Sequence, residues 1–100
     1  MNGALHGIKI IEISQVLAAP FCGYQFALLG ADVIKVEIPD LPDCARSRGP
    51  LSTLNDKGIG LTYQVQAGNK KSLALDIRTE QGREAMLNIV KDSDVLIENY

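Results

Sequence analysis

The apolar positions of this chain switch between strand and helix periods, and the switching organises it. Ile8, Ile10, Ile11 and Ile13 make a β-branched run of strand length, too short for a helix. Ser14 to Ala19 breaks the run, and Pro20 fits the first turn of a helix, where its missing N–H costs nothing. Phe21, Tyr24, Leu28 and Leu29 then recur at helical spacing and predict one apolar helix face. Gly30 is placed to end that helix in a left-handed cap. Asp32 to Glu37, with Val33, Ile34 and Val36, predicts a second strand. Strand, helix and strand in so short a span imply a right-handed crossover and a parallel sheet.

Beyond Glu37 the pattern dissolves. Ile38 to Gly68 scatters Pro39, Pro42, Pro50, Gly49, Gly58, Gly60 and Gly68 among polar residues and reads as mostly loop, with a short extended piece at Gly60–Val65. A loop of this length is usually functional or disordered. Alternation returns at Ser72–Ile77, with Leu73, Leu75 and Ile77 on one face of a third strand. Thr79 suits an N-cap and Glu80 the helix dipole. Ala85, Met86, Ile89 and Val90 form a helical stripe, weakened at its start by Gly82, at about 1 kcal/mol against Ala. Asp92 and Ser93 end that helix, and Asp94–Ile97 is a fourth strand. Ahead of the first strand, Met1–Gly7 is a short lead-in whose Gly7 turns the chain. The chain is thus β-α-β, long loop, β-α-β. Ligands of open parallel sheets sit beyond the strands' carboxyl ends, so a site at the last strand is expected to draw on residues past Tyr100.

Composition narrows the classes. One hundred residues, 46% hydrophobic, fit one small domain or a piece of a larger one, not a disordered chain. A net charge of −2 gives no electrostatic reason to expect nucleic acid or an anionic membrane. The apolar runs are far too short for a membrane span, and the N-terminal residues lack the pattern of a signal peptide. Cys22 and Cys44 make neither a CxxC nor a disulfide framework, so a reducing cytoplasm is the expected compartment.

Candidate chemistry is sparse. Glu37 ends the second strand where dinucleotide sites carry an acid, but Ser14–Ala19 holds no glycine to admit a pyrophosphate. Glu37 reads instead as a strand-end carboxylate, solvated or paired with Lys35 or a loop arginine. Cys22 near a helix start could be an activated thiol, yet no base is placed beside it, and a buried structural role is the better reading. One histidine and two separated cysteines do not make a metal site. Arg46, Arg48, Asn69, Lys70 and Lys71 could hold a phosphate; composition alone favours a solvated basic patch.

Taken together, these segments resemble the class III CoA-transferases, the family of formyl-CoA and carnitine CoA-transferases and α-methylacyl-CoA racemase. The matching stretches are Leu5–Ile10, Ala18–Cys22, Leu29–Glu37, Asn69–Asp76, Gly82-Arg83 and Asp94–Tyr100. They follow the family's order and spacing over nearly the whole chain, which corresponds to the family's N-terminal part. The resemblance implies an α/β fold with Rossmann-like parallel β-α-β units, residues 1–100 being an N-terminal fragment of the large domain. It implies acyl-CoA and carboxylic acid substrates, coenzyme A entering as the acyl-CoA substrate, no metal, and an interlocked homodimer for the longer protein. The family's nucleophilic aspartate falls beyond this chain, so no catalytic residue is expected here and the fragment alone is expected to be inactive. CoA contacts map onto Leu17 and Ala18, onto Leu75, Asp76, Ile77 and Arg78, onto Asn99 and Tyr100, and onto Arg46. Two departures matter. Ile38 stands where many members carry an arginine, and Leu17 where formyl-CoA transferases carry glutamine, which speaks against oxalate or formate. The long Gly49–Gly68 stretch favours a transferase over a racemase. The other reading is a non-catalytic CoA- or nucleotide-binding fragment.

Overall fold

The computed structural model describes residues 2–100; Met1, the first residue of the expected lead-in, lies outside the described residues. Four parallel strands form one sheet in the order β3-β2-β1-β4: β1 Lys9–Ile13, β2 Asp32–Glu37, β3 Lys70–Ala74 and β4 Val95–Glu98. After three strands laid side by side in one direction, the chain crosses to the far side of β1 to place β4. That is the order of the first four strands in a doubly wound sheet, and the reversal leaves a crevice at the strands' carboxyl ends. The α/β fold is as the sequence implied.

One long helix packs on each face of the sheet, while Val95 and Leu96 of β4 stay exposed. Ile10, Val33 and Ile97 face α1 (Ala18–Leu28) and bury against Ala19, Ala27 and Ala31. Ile11 and Val36 face the other way, onto Met86 of α4 (Glu80–Val90), with Leu73, Leu75, Ile77 and Ile89 packed around them. The split follows from the two-residue period of a strand.

The face by which α1 packs is not the predicted one. Ala19, Pro20, Gly23 and Ala27 lie on the sheet, while Phe21, Leu28 and Leu29 are about half exposed. Small side chains let the helix backbone approach the sheet closely, and the bulky stripe is left pointing away. The helix ends as expected. Gly30 sits at φ +101°, its N–H donates to the Ala27 carbonyl, and the Ala31 N–H donates to that of Phe26, a Schellman closure. Gly7, at φ +89°, likewise turns the lead-in toward β1.

The stretch 38–68 is more ordered than its prolines and glycines suggested. A short 3-10 helix (Cys44–Ser47), α2 (Ser52–Asp56) and α3 (Leu61–Ala67) fold it back against α1. Gly60–Val65 is therefore not extended: Gly60 caps α3, whose first hydrogen bonds run from Tyr63 and Gln64 to the Gly60 carbonyl. β3 also begins and ends earlier than the alternation suggested. Beyond Ala74 one ladder bond remains, Leu75 N–H to the Glu37 carbonyl, before the chain turns at Asp76. Thr79 caps α4 as expected, its hydroxyl accepting the Gly82 N–H at 2.9 Å. Among the described residues no helix is long and apolar enough to cross a membrane.

Candidate functional site

The turn from β1 into α1 is anchored by charges buried beneath it. Glu12 and Lys35 occupy paired positions on β1 and β2, and both are almost wholly inaccessible. Lys35 Nζ lies 3.1 Å from Glu12 Oε2 and 2.8 Å from Asp43 Oδ2, and it also donates to the carbonyl and hydroxyl of Ser14. The other Glu12 oxygen is 2.7 Å from Lys70 Nζ at the start of β3, while Lys70 donates to the Pro20 carbonyl of α1. Two buried carboxylates and two buried ammonium groups thus neutralise one another. Such a group costs a great deal in desolvation, and it becomes costlier still if one member is removed. Gly23 of α1 makes the packing possible, because a Cβ there would come within 1.9 Å of Glu12 Oε1.

Burial is the largest single influence on Lys35, Asp43 and Lys70, and at the first two their partners together outweigh it. Burial would lower the Lys35 pKa, but its hydrogen bond to Asp43 and the nearby charges of Glu12 and Asp43 raise it overall. Burial would raise the Asp43 carboxyl, but Lys35 and the N–H groups of Val16 and Ala45 hold it below the usual carboxylate range. Burial prevails at Lys70, whose pKa is lowered despite Glu12.

Asp43 carries this charge cluster to the turn. Its Oδ1 accepts the Val16 N–H at 2.9 Å and the Ala45 N–H at 2.9 Å. Val16 has φ +66°, a left-handed conformation that a β-branched side chain rarely adopts and that costs about 1–3 kcal/mol. From the other side, Asn99 holds Gln15 by both backbone groups, Oδ1 accepting the Gln15 N–H and Nδ2 donating to the Gln15 carbonyl, each at 2.9 Å. A cleft of about 200 Å³ opens beside this turn at the carboxyl ends of the strands. It is lined by Ile13, Gln15, Glu37, Asp43, Ile77 and Tyr100, among others. Pockets that enclose a whole ligand are typically ~300–1,000 Å³, so this one suits one end of a larger molecule.

The residues expected to contact CoA are not all brought to one place. Ile77 and Tyr100 line the cleft, Asn99 locks its rim, and Leu17 and Ala18 stand exposed at the head of α1. Leu75 packs into the core beneath α4, while Asp76 and Arg78 form a surface cluster. There, Arg78 bonds both oxygens of Asp76 and reaches Asp40 at 2.6 Å. Arg46 stands apart from the cleft. Its guanidinium grips Glu37 with two hydrogen bonds of 2.7 and 2.8 Å and donates to the Tyr63 hydroxyl and the Gly58 carbonyl. That pairing is the loop-arginine option expected for Glu37, and it lowers the Glu37 pKa against the effect of burial.

The solvated basic patch is not what forms. Lys70 is drawn inward by Glu12 and Arg46 by Glu37; Lys71 stays outside, paired with Asp32 at 2.9 Å, and Arg48 is exposed. Cys22 is partly buried against the α1-side core, consistent with a structural role. Sequence reasoning missed Glu12, Asp43 and Lys70 as members of one cluster. The available signal was a charge at the centre of each of two apolar strands, opposite in sign.

An open parallel α/β sheet with a strand-end cleft and a glycine-free turn defines a fold class, not yet a chemistry. Comparison with known proteins supplies the family. The profile of CoA-transferase family III matches residues 5–100, and the chain belongs to that family. It is 40% identical over 99 residues to a succinyl-CoA:mesaconate CoA-transferase of Haloarcula hispanica, covering 98% of this chain and 25% of that protein. It is 37% identical to a formyl-CoA:oxalate CoA-transferase of Rhodopseudomonas palustris, covering all of this chain and 23% of that protein. The crystal structure of a CAIB/BAIF family protein from Brucella suis superposes with a TM-score of 0.87 at 37% identity, over 100% of this chain and 26% of that one. The chain spans about a quarter of the length of the relatives it matches.

Proposed function

We propose that this chain is the CoA-binding N-terminal part of a CoA-transferase that moves CoA between an acyl-CoA and a carboxylic acid. The observation that carries the reading is the strand-end cleft, where Gln15 of the β1–α1 turn, Ile77 and Tyr100 converge in a chain of this family. In this reading the nucleophilic carboxylate that would split acyl transfer into two easier steps lies in the remainder of a longer protein. The residues present would orient the CoA, with the Asp76–Arg78 cluster toward its charged nucleotide end and the cleft toward its acyl end. Apolar Leu17 at the turn suits an acyl group larger or less polar than formyl or oxalyl. An interlocked homodimer and a cytoplasmic location complete the proposal.

The test is made on the protein that contains this segment, by mass detection of CoA transfer from a panel of acyl-CoA donors to free carboxylic acids. Transfer is the expected result. Proton exchange at the α-carbon of a 2-methylacyl-CoA, without transfer, would replace this reading with a racemase. Arg78→Ala is expected to raise the apparent KM for acyl-CoA about tenfold, as befits a charge-assisted contact weakened by exposure. An unchanged KM would remove Arg78 from the site.

A further inference from the structure

We infer that Asp43 is a positioning residue for the acyl-CoA site, holding the Gln15–Leu17 turn in a conformation its own sequence disfavours; the inference rests on the CoA-binding reading above. The turn is fixed from two sides. Asn99 at the end of β4 takes both backbone groups of Gln15, and Asp43 takes the N–H of Val16. The Gln15 side chain returns the contact, its Oε1 accepting the Cys44 N–H at 3.1 Å, so the turn and the start of the 3-10 helix grip each other.

The two oxygens of Asp43 have different tasks. Oδ1 accepts from Val16 and Ala45, and Oδ2 meets the Lys35 ammonium at 2.8 Å. Lys35 is held in turn by Glu12 and Ser14. An amide in place of the carboxylate can serve only one of these tasks. If its oxygen faces the N–H groups, its NH₂ opposes Lys35; if flipped, it opposes the N–H groups. The buried charge is therefore matched to the turn geometry, and it sits under the one non-glycine residue of that turn at positive φ. Asp43 itself lines the cleft together with Gln15, the residue that precedes Val16 in the turn, so the carboxylate ties the cleft wall to the turn beside it.

The experiment uses the protein that contains this segment, with CoA itself as the probe. Isothermal titration compares wild type, Asp43→Asn, the double variant Val16→Gly/Asp43→Asn, and Ile89→Ala, which loosens the opposite face of the sheet. Each is measured at a temperature where circular dichroism shows it folded. Asp43→Asn is expected to weaken CoA binding about tenfold. Adding Val16→Gly should recover about threefold or more of that loss, since glycine takes positive φ without being held there. Ile89→Ala should bind as wild type does. Wild-type affinity in folded Asp43→Asn would overturn the role of Asp43 while leaving the CoA reading intact; a wild type that binds no CoA would overturn both. Should Asp43→Asn not fold, amide hydrogen exchange on the wild type decides. The Val16 N–H is expected to exchange slowly, and more slowly with CoA. Exchange at an open amide's rate in both states would overturn the inference.

Discussion

Glu12 and Lys35 face each other across adjacent buried strands, and neither charge could sit there without the other. Asp43 and Glu37 extend the same logic to the sheet's carboxyl end, and both have pKa values below those of free carboxyl groups. A depressed folded pKa means that the unfolded chain takes up its proton first. Both carboxylates therefore contribute stability that is complete above the unfolded values, near pH 4, and is lost as pH falls through the folded ones. The urea midpoint is expected to stay level from about pH 7 to 5 and to fall below about pH 4. A midpoint equal at pH 5 and pH 3 would show that these carboxylates do not support the fold. Part of this was legible in the sequence: a glutamate among four isoleucines and a lysine among Val33, Ile34 and Val36 are charges in buried strands. Their remaining partners were not legible. Asp43 and Lys70 reach the cluster only through the tertiary path of the 38–69 excursion, and no local spacing encodes that path.

At the scale of elements, Gly82 separates propensity from packing. Propensity alone makes Gly82→Ala a gain of about 1 kcal/mol in α4. The structure predicts a loss, because a Cβ at Gly82 would stand 1.7 Å from the Asp76 carbonyl oxygen, where the backbone turns to be capped by Thr79. Thermal unfolding of the alanine variant should show a lower midpoint, corresponding to about 1–3 kcal/mol of overpacking; a higher midpoint would mean that the turn yields freely. The existence and order of the four strands and the two long helices were readable, as were the Gly30 and Thr79 caps, since each has a period or a terminal residue of fixed chemistry; the bounds of β3 and the start of α1 were not. The helices between Cys44 and Ala67 were not. They are too short to show a period, and Arg46 holds them by gripping Glu37 and Tyr63, a contact that no pattern announces. For α1 the period was right and the face wrong, because the alanines and glycine that pack on the sheet register weakly beside a phenylalanine and two leucines.

At the scale of the whole molecule, one long helix packs on each face of the sheet, yet apolar surface is left outside. Leu17, Phe21 and Leu28 of the α1 region and Val65 of α3 are all more than half exposed. Exposed apolar area of this kind favours association. The 100-residue chain studied alone is expected to sediment as more than a monomer, and Phe21→Gln with Leu28→Gln should shift it toward the monomer. A monodisperse monomer before substitution would mean that these side chains are tolerated in water. The pairing of Glu12 with Lys70 has a consequence in time as well as in space. Glu12 is synthesised early and Lys70 much later, with an entire helix, strand and excursion between them. On the ribosome, the first β-α-β unit therefore emerges with a buried-type carboxylate still lacking half of its counter-charge. That unit should stay loose until β3 appears and then lock together with it, so that β1, made well before β3, becomes fully settled only after it.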